Sequence, residues 1–404
     1  MNFLLDGVHT GAVIETTLSR KLTIDGITQT YPVYKVRLDM LFYNDQNDRI
    51  ATWISQYKAE HGGVSIDLSN RNYYNSIIEE FIVKSNPDAI KKTQANIELV
   101  DQREPGVVLA DGRIIDGNRR FACLRRLSAK SDRFNYFETV ILDRNIENSA
   151  KQIKMLELSV QHGEESKVDY NPIDRLVGVY NDIILTKMLS PEEYSRSTNE
   201  SIADVNRRIA IAELMVEFLE FINAPLQFHV ARDMQIYAPI VELPKLLKKC
   251  RTEDEREDLK ISVFTNLLMK TEGDMRQFVR NLKNIVGTEY QDSFIEEQKE
   301  IAERVMDILP PVGEVNEVAI RDVVRTDAEI IRALDNSLEK ALIKVRKTET
   351  RNRPIQLVEK ATDFIETIDL NIIDKLNDSD LRRLERQLNR LESIIEEVRG
   401  YING

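Results

Sequence analysis

Residues 111–123 read DGRIIDGNRRFAC, and the order of apolar, glycine and basic residues in this stretch decides the expected fold of the N-terminal region. A short apolar run ends at Asp116 and is followed by Gly117. The pattern predicts a strand, a tight turn at the glycine, and a helix that begins at about Asn118 and ends at about Ala129. Because the first N–H groups of a helix lack backbone partners, this turn is suited to binding an anion.

Two arginines follow the turn directly. Arg119 and Arg120 offer forked N–H donors that fit phosphate oxygens, and Asp116 would either orient an arginine or hold a metal-bound water. The same residues also suit an ordinary helix start with arginines on its solvent-exposed face, so the spacing alone leaves both interpretations open. The chain contains neither GxxxxGKS/T nor GxGxxG, which excludes the two commonest phosphate-binding loops.

Strand and helix patterns alternate on both sides of this stretch. Residues 3–43 are rich in β-branched and aromatic residues, and Asp25-Gly26 is a hairpin signal within them. Further strand patterns occupy 106–111 and 136–143, and helical patterns occupy 74–85 and 88–100. We therefore expect an α/β domain at residues 1–145 of an α+β protein.

Strand patterns end near residue 145, and helical ones continue to the C-terminus. A helical domain is expected at 146–225, with a capping box at Ser190 and Glu193. A helical C-terminal domain is expected at 226–404, with a coiled-coil-like segment at 379–402. The apolar seam of this segment consists of Leu381, Leu384, Leu388, Leu391, Ile395, Val398 and Ile402. The seam either pairs with a second copy of the chain or packs on a neighbouring helix of the same chain.

Composition narrows the classes of partner. A chain of 404 residues with a net charge of −12 repels nucleic acid and anionic membranes as a whole, so contact with DNA or nucleotide requires a local basic patch. Neither a membrane-spanning apolar run nor a signal peptide is visible, so we expect a cytoplasmic protein with no membrane partner. Cys123 and Cys250 are far apart and the four histidines are scattered, so no metal site is expected.

Three segments in the same order resemble the ParB chromosome-partition family. IIDGNRRFACLRRL at 114–127, with its flanking strands, looks like the family pattern IIDGxRR or IIAGxRR of the N-terminal domain. LELSVQHGEESKVDYNPIDRL at 156–176 resembles the stretch that follows it. LSPEEYSRSTNESIADVNRRIAIAELM at 189–215 resembles the helix-turn-helix of the family. The resemblance covers about residues 33–215, half of the chain.

The resemblance implies a ParB/sulfiredoxin-like α/β domain with a nucleotide pocket, followed by a mostly helical region. The bound group would be a nucleoside triphosphate, with CTP favoured, and Mg²⁺ could bind together with it. If hydrolysis occurs, Glu164 or Asp116 would activate water. The implied nucleotide-binding residues are Asn47 and Arg49 from YNDQNDRI, Gly117, Asn118, Arg119 and Arg120 from DGNRR, and Lys167.

Two departures bear on the chemistry. Cys123 stands where the family usually has alanine, and a buried thiol in a helix is more typical of packing than of reactivity. Sulfiredoxins place a catalytic cysteine before a His-Arg pair. Asn118 occupies that region here and no histidine adjoins it, so sulfiredoxin chemistry is not expected.

A helix-turn-helix would present the start of its second helix to the DNA major groove. Ser201, Asn206 and Arg207 are the DNA-binding candidates there, whereas Glu200 and Asp204 would repel phosphate. The long apolar continuation of this helix equally suits a scaffold that contacts no DNA.

Three functions therefore stay open. The first is a ParB-like, nucleotide-switched DNA clamp or regulator that dimerises through its C-terminal helices. The alternative is an NTPase or nuclease component of a DNA-modification or phage-defence system. The third is a structural interaction protein in which the DGNRR turn binds nothing.

Overall fold

The structure is a computed structural model that describes residues 3–24, 27–143, 146–163, 171–269 and 274–403. The expected α+β class is confirmed, since a mixed sheet near the N-terminus is followed by many helices. The chain divides into two compact units, residues 1–341 and 342–404. The domain boundaries expected after residues 145 and 225 stay predictions. The hairpin signal Asp25-Gly26 and the candidates Glu164 and Lys167 lie outside the described residues.

The described strands form one five-stranded sheet in the order β1-β2-β5-β3-β4. Their bounds are β1 Val13–Ile24, β2 Ile27–Arg37, β3 Gly106–Leu109, β4 Ile114–Asp116 and β5 Tyr136–Leu142. Strand β5 pairs parallel with β3 and antiparallel with β2, and the outer pairs β1–β2 and β3–β4 are antiparallel. The DGR turn at 111–113 connects β3 to β4, and the Gly117 turn leads from β4 into a helix.

The α-helices are α1 Phe3–Asp6, α2 Ala51–Glu60, α3 Arg71–Ser85, α4 Pro87–Val100, α5 Asn118–Ser128, α6 Ile146–Gly163, α7 Pro172–Val179, α8 Pro191–Thr198, α9 Ile202–Phe221, α10 Phe228–Asp233, α11 Tyr237–Leu247, α12 Glu253–Met269, α13 Met275–Asn281, α14 Gln291–Asp307, α15 Glu317–Asp322, α16 Ala328–Glu366, α17 Leu370–Ile373 and α18 Asp378–Asn403. Helix α7 continues directly into a π-helical segment, Tyr180–Leu185.

Helices cover both faces of the sheet because the strand side chains alternate between two cores. Val108 of β3 packs in a core with Phe121 of α5 and Ile78 of α3. Its neighbour Val107 belongs to the opposite core, where it joins Leu156 of α6. Helix α6 therefore lies against the face of the sheet opposite α3, α4 and α5, and it ties the sheet to the helical region that follows.

Several sequence-based boundaries were wrong. Residues 3–10 form α1 and a 3₁₀ turn instead of a strand, and the second strand ends at Arg37. Helix α2 was not predicted, because its apolar residues are too weakly segregated to reveal a helical period. Within the expected helical domain, α7 changes to π-helical geometry after Val179, and Asp182 of the π-helical segment is buried.

Helices α8 and α9 form the pair that resembles a helix-turn-helix. The capping box of Ser190 and Glu193 is present, and Asn199 adopts a left-handed conformation at φ 55° in the turn. Tyr194 of α8 and Val205 of α9 pack in one small core with Leu158 of α6. The second half of α9 is buried in the helical region, as its apolar sequence suggests.

The second unit, residues 342–404, ends in the predicted C-terminal helix. Helix α18 covers the segment 379–402, and its expected seam lies along one face. Leu384 and Leu391 are partly buried. The other five seam residues are exposed, and they are Leu381, Leu388, Ile395, Val398 and Ile402.

None of the helices in the described part of the chain combines the length and the apolar character needed to cross a bilayer.

Candidate anion-binding cleft

The start of helix α5 lines a cleft of about 300 Å³ between that helix, α4 and residues 47–50. Six of the seven nucleotide-binding candidates line it, although two segments almost 70 residues apart supply them. They are Asn47, Arg49, Gly117, Asn118, Arg119 and Arg120. The seventh, Lys167, is outside the described residues.

Gly117 shapes the turn at the base of the cleft. Its φ of 100° lies in the left-handed region that a side chain rarely tolerates. A Cβ at this position would also lie 2.7 Å from the ring of Phe137, on strand β5. The glycine is therefore required both by the backbone and by the ring behind it, and it directs the first N–H groups of α5 toward the cleft.

The start of α5 has hydrogen-bonding capacity to spare. Among the described residues, no side chain caps the helix at Gly117. Asn118 is only 6% exposed. Its Oδ1 atom has no hydrogen-bond partner among the described residues. An unpaired buried amide is costly, so this group is expected to meet a ligand or water.

Among the described residues, the charges that act on Arg119 from the nearest side chains are mainly positive. Burial and the charges of Arg49 and Arg120 together lower its pKa to about 10, against an opposing effect of Cys123. None of the carboxylates in the described part of the chain forms an ion pair with Arg119. Gathering three guanidinium groups in a partly buried cleft is unfavourable, and a bound polyanion would relieve it.

Arg120 is held in place by Asp116, the last residue of β4. The Asp116 carboxylate accepts a hydrogen bond from Arg120 Nη2 at 2.8 Å and another from Arg20 Nη1 at 3.1 Å. Arg120 Nη1 also donates to the Glu104 carbonyl at 3.0 Å. With both of these ion pairs, Asp116 is arranged to orient an arginine, which was the first of its two suggested roles, and it is poorly suited to activate water.

Residues 47–49 form the opposite rim. Asn47 Oδ1 accepts a hydrogen bond from the Arg49 backbone N–H at 3.0 Å and so starts a 3₁₀ turn. This turn directs Asn47 and Arg49 into the cleft, while Asp48 between them faces the helical region.

The third wall was not predicted from the sequence. Thr93 and Asn96 of α4 line the cleft, and Ile97 lies beside them. In the sequence they look like the polar face of an amphipathic helix, because spacing alone does not reveal that this face meets α5 across an opening. Their hydroxyl and amide groups supply neutral donors and acceptors opposite the arginines.

The DNA-binding candidates lie on the second helix of the pair α8–α9. Asn206 and Arg207 are exposed on the first turns of α9, whereas the Ser201 hydroxyl is engaged in capping the helix and donates to Asp204. The Glu200 carboxylate is paired with Arg175 and Arg208. That pairing reduces the repulsion of phosphate expected from Glu200, while Asp204 stays exposed.

Cys123 is buried in α5, and its thiol faces the carbonyl of Ile90 at 3.6 Å. Burial raises its pKa to about 11, which suits packing and opposes thiolate chemistry. Within the described residues, no group of three or more histidine, cysteine or acidic side chains is arranged to hold a metal ion.

The sequence was compared with protein-family models and with curated proteins. No protein-family model matches the sequence, and no curated protein is significantly similar to it.

Proposed function

We propose that the cleft binds a nucleoside triphosphate and that binding changes how the helical region engages DNA. The observation that carries the proposal is the meeting of Arg49, Arg119 and Arg120 at a helix start that no described side chain caps. Such an arrangement favours a ligand with several negative charges. The resemblance to the ParB family favours CTP.

Different residues of the cleft contact different parts of the nucleotide. The N–H groups of α5 and the three arginines bind the phosphates, and Arg120 keeps its orientation through Asp116. Thr93 and Asn96 on the other wall are placed for the sugar or base. A magnesium ion would be held mainly by the phosphates, because Asp116 already pairs with arginines and Glu104 is the other acidic residue among the described residues that line the cleft.

A titration of CTP, ATP and GTP by calorimetry tests the proposal. Arg119→Ala should weaken binding about 10- to 100-fold, because a charge-assisted hydrogen bond contributes about 1.5 to 3 kcal/mol. Arg126→Ala is the matched control, since Arg126 is exposed on the same helix and does not line the cleft. It should change affinity less than about twofold.

Failure of all three nucleotides to bind the wild-type chain would overturn the proposal. Equal losses in Arg119→Ala and Arg126→Ala would show that charge at long range, and not the cleft, accounts for binding. Release of phosphate or nicking of supercoiled DNA would favour the NTPase or nuclease alternative.

We further propose that DNA contacts the start of α9, where Arg207 and Asn206 are exposed. Duplex binding should weaken steeply with salt, and Arg207→Ala should reduce it. Arg256→Ala, on the exposed side of α12, is the control and should leave it unchanged. Salt-insensitive binding, or none, would favour the scaffold interpretation of α8 and α9.

Self-association through α18 is the remaining part of the proposal. Its seam follows heptad spacing, charged residues flank it, and five seam residues are exposed. Leu388→Glu should shift a dimer to a monomer in sedimentation velocity. An unchanged sedimentation coefficient, whether monomeric or dimeric, would contradict pairing through this seam.

A further inference from the structure

A second cluster of charges lies behind the cleft, on the far side of the residues that form its rim. The cleft loop, residues 44–50, alternates in direction: Asn47 and Arg49 line the cleft, and Asp48 is buried against helix α6. Asp48 meets Lys154 there, and both side chains are at least 90% buried. The cleft and this buried pair are therefore separated by a single turn of backbone.

Lys154 holds the loop at two points. Its Nζ donates to the Asp48 carboxylate at 2.7 Å and to the Gln46 carbonyl at 3.3 Å. A third tie lies one helical turn further along α6, where Glu157 accepts a hydrogen bond from Asn44 Nδ2 at 3.3 Å. Asn44, Gln46 and Asp48 are thus bound to α6, while Asn47 and Arg49 are left to face the cleft.

The α7 region closes the other side of this cluster. A Cβ on Gly178 would lie 2.5 Å from Asp48 Oδ2, so the helix approaches the carboxylate as closely as glycine permits. Asp182, in the π-helical segment, lies 3.5 Å from Lys154 Nζ. Burial lowers the pKa of Lys154, but the carboxylates of Asp48, Glu157 and Asp182 more than offset this and leave it raised, so the ammonium stays charged.

We propose that Lys154 is a positioning residue, which holds Asn47 and Arg49 on the cleft wall through its bonds to Asp48 and Gln46. The same contacts connect the cleft mechanically to α6 and α7, the helices that lead into the α8–α9 pair. This inference rests on the proposed binding of a nucleoside triphosphate, and it identifies the route by which an occupied cleft acts on the helical region.

Two variants test it in different ways. Lys154→Met removes the charge at similar volume, and Gly178→Ala keeps every charge but pushes a methyl group against Asp48. The control is Lys151→Met on the same helix, because Lys151 is exposed and pairs with Glu193, away from the cleft loop. Hydrogen–deuterium exchange of residues 44–50 and the Kd for CTP are measured on the full chain.

Both test variants should speed exchange in the cleft loop at least about tenfold and weaken CTP binding to a similar degree, with α5 still protected. Lys151→Met should match the wild type in both measurements. If Lys154→Met does not fold, Gly178→Ala alone decides the matter. Wild-type exchange and wild-type affinity in a folded variant would overturn the inference.

The two readouts also separate this inference from the proposal on which it rests. If the wild-type chain binds no nucleotide, the proposed function fails, but faster exchange in the loop still supports the positioning role. If the wild type binds CTP and the loop is unaffected by Lys154→Met, the positioning role fails and the proposed function stands.

Discussion

The two charged clusters on either side of the cleft loop contain similar groups in opposite balance. The arginine cluster brings Arg49, Arg119 and Arg120 together, and Asp116 pairs with Arg120. The Lys154 cluster, Lys154 with Asp48, Glu157 and Asp182, has one cation among three carboxylates. One cluster opens to a cleft and the other is enclosed.

The difference shows how a folded chain distinguishes a binding site from an internal support. Buried charges must find opposite charges within the protein or shift their pKa values. Lys154 finds three carboxylates inside the protein, and burial raises the pKa of Asp182 to about 7, which reduces the excess negative charge, so this cluster needs no ligand. Arg119 forms no ion pair with a carboxylate among the described residues, and the open side of the arginine cluster is where the negative charge of a ligand can enter.

The largest effect on stability should come from breaking the internal cluster. Lys154→Met should lower the free energy of unfolding by about 3 to 5 kcal/mol at pH 7.5, because three buried carboxylates lose their cation. Lys151→Met, which removes an exposed lysine from the same helix, should change it by less than about 0.5 kcal/mol. Urea denaturation followed by circular dichroism measures both. Equal and small losses would mean that the two clusters do not differ in kind.

The turn at the base of the cleft should come next. Gly117→Ala should cost about 2 to 3 kcal/mol, since its positive φ strains any side chain and the new methyl group would meet Phe137. Gly287→Ala is the matched control: its φ is 88°, but nothing lies within 4 Å of the new Cβ, so only the backbone cost of about 1 kcal/mol is expected. Equal costs would remove the ring of Phe137 from the account of this turn.

Much of the sheet and of the arginine cluster could be predicted from the sequence, because both depend on local order. The strand, the glycine and the helix start are neighbours in DGRIIDGNRR. Buried residues recur with a period of about 2 in the strands and about 3.6 in the helices. The Lys154 cluster could not be predicted. Asp48 and Lys154 are 106 residues apart, and each looks like an ordinary surface charge until the fold brings them together.

The polar wall at Thr93 and Asn96 was missed for a related reason. Helical periodicity identifies which residues share a face, but it does not tell a face open to bulk solvent from one that borders a cleft. Only the packing of α4 against α5 makes that distinction.

The pH dependence of stability provides another test of the enclosed side. Burial raises the pKa of Asp174 to about 7, opposed by hydrogen bonds from Thr52 and the charge of Arg232, while the charge of Asp48 adds to the rise. The unfolded chain has the lower pKa. This carboxyl therefore favours folding below about pH 4 and loses that contribution as pH rises to about 7, at up to about 1.4 kcal/mol per pH unit.

Asp174→Asn removes this titration and keeps an oxygen that can accept the Thr52 N–H, which now donates to Asp174 at 2.9 Å. The variant should gain stability relative to the wild type between pH 5 and pH 8, as measured by urea denaturation at each pH. Asp182 titrates in the same range, but it is present in both proteins and cancels in the difference. Parallel pH curves for the two proteins would contradict the assignment.

The smallest change in the free energy of unfolding should come from the arginine cluster. The sign of this change is the sharpest test of the difference between the two clusters. Arg119→Met should leave the free energy of unfolding unchanged or raise it by about 0.5 kcal/mol, because it relieves repulsion by Arg49 and Arg120 and breaks no ion pair among the described residues. Thermal unfolding with and without CTP completes the measurement: CTP should raise the Tm of the wild type by mass action and that of the variant much less. A clear loss of stability without ligand would mean that Arg119 supports the fold, as Lys154 does, and that the two clusters are alike.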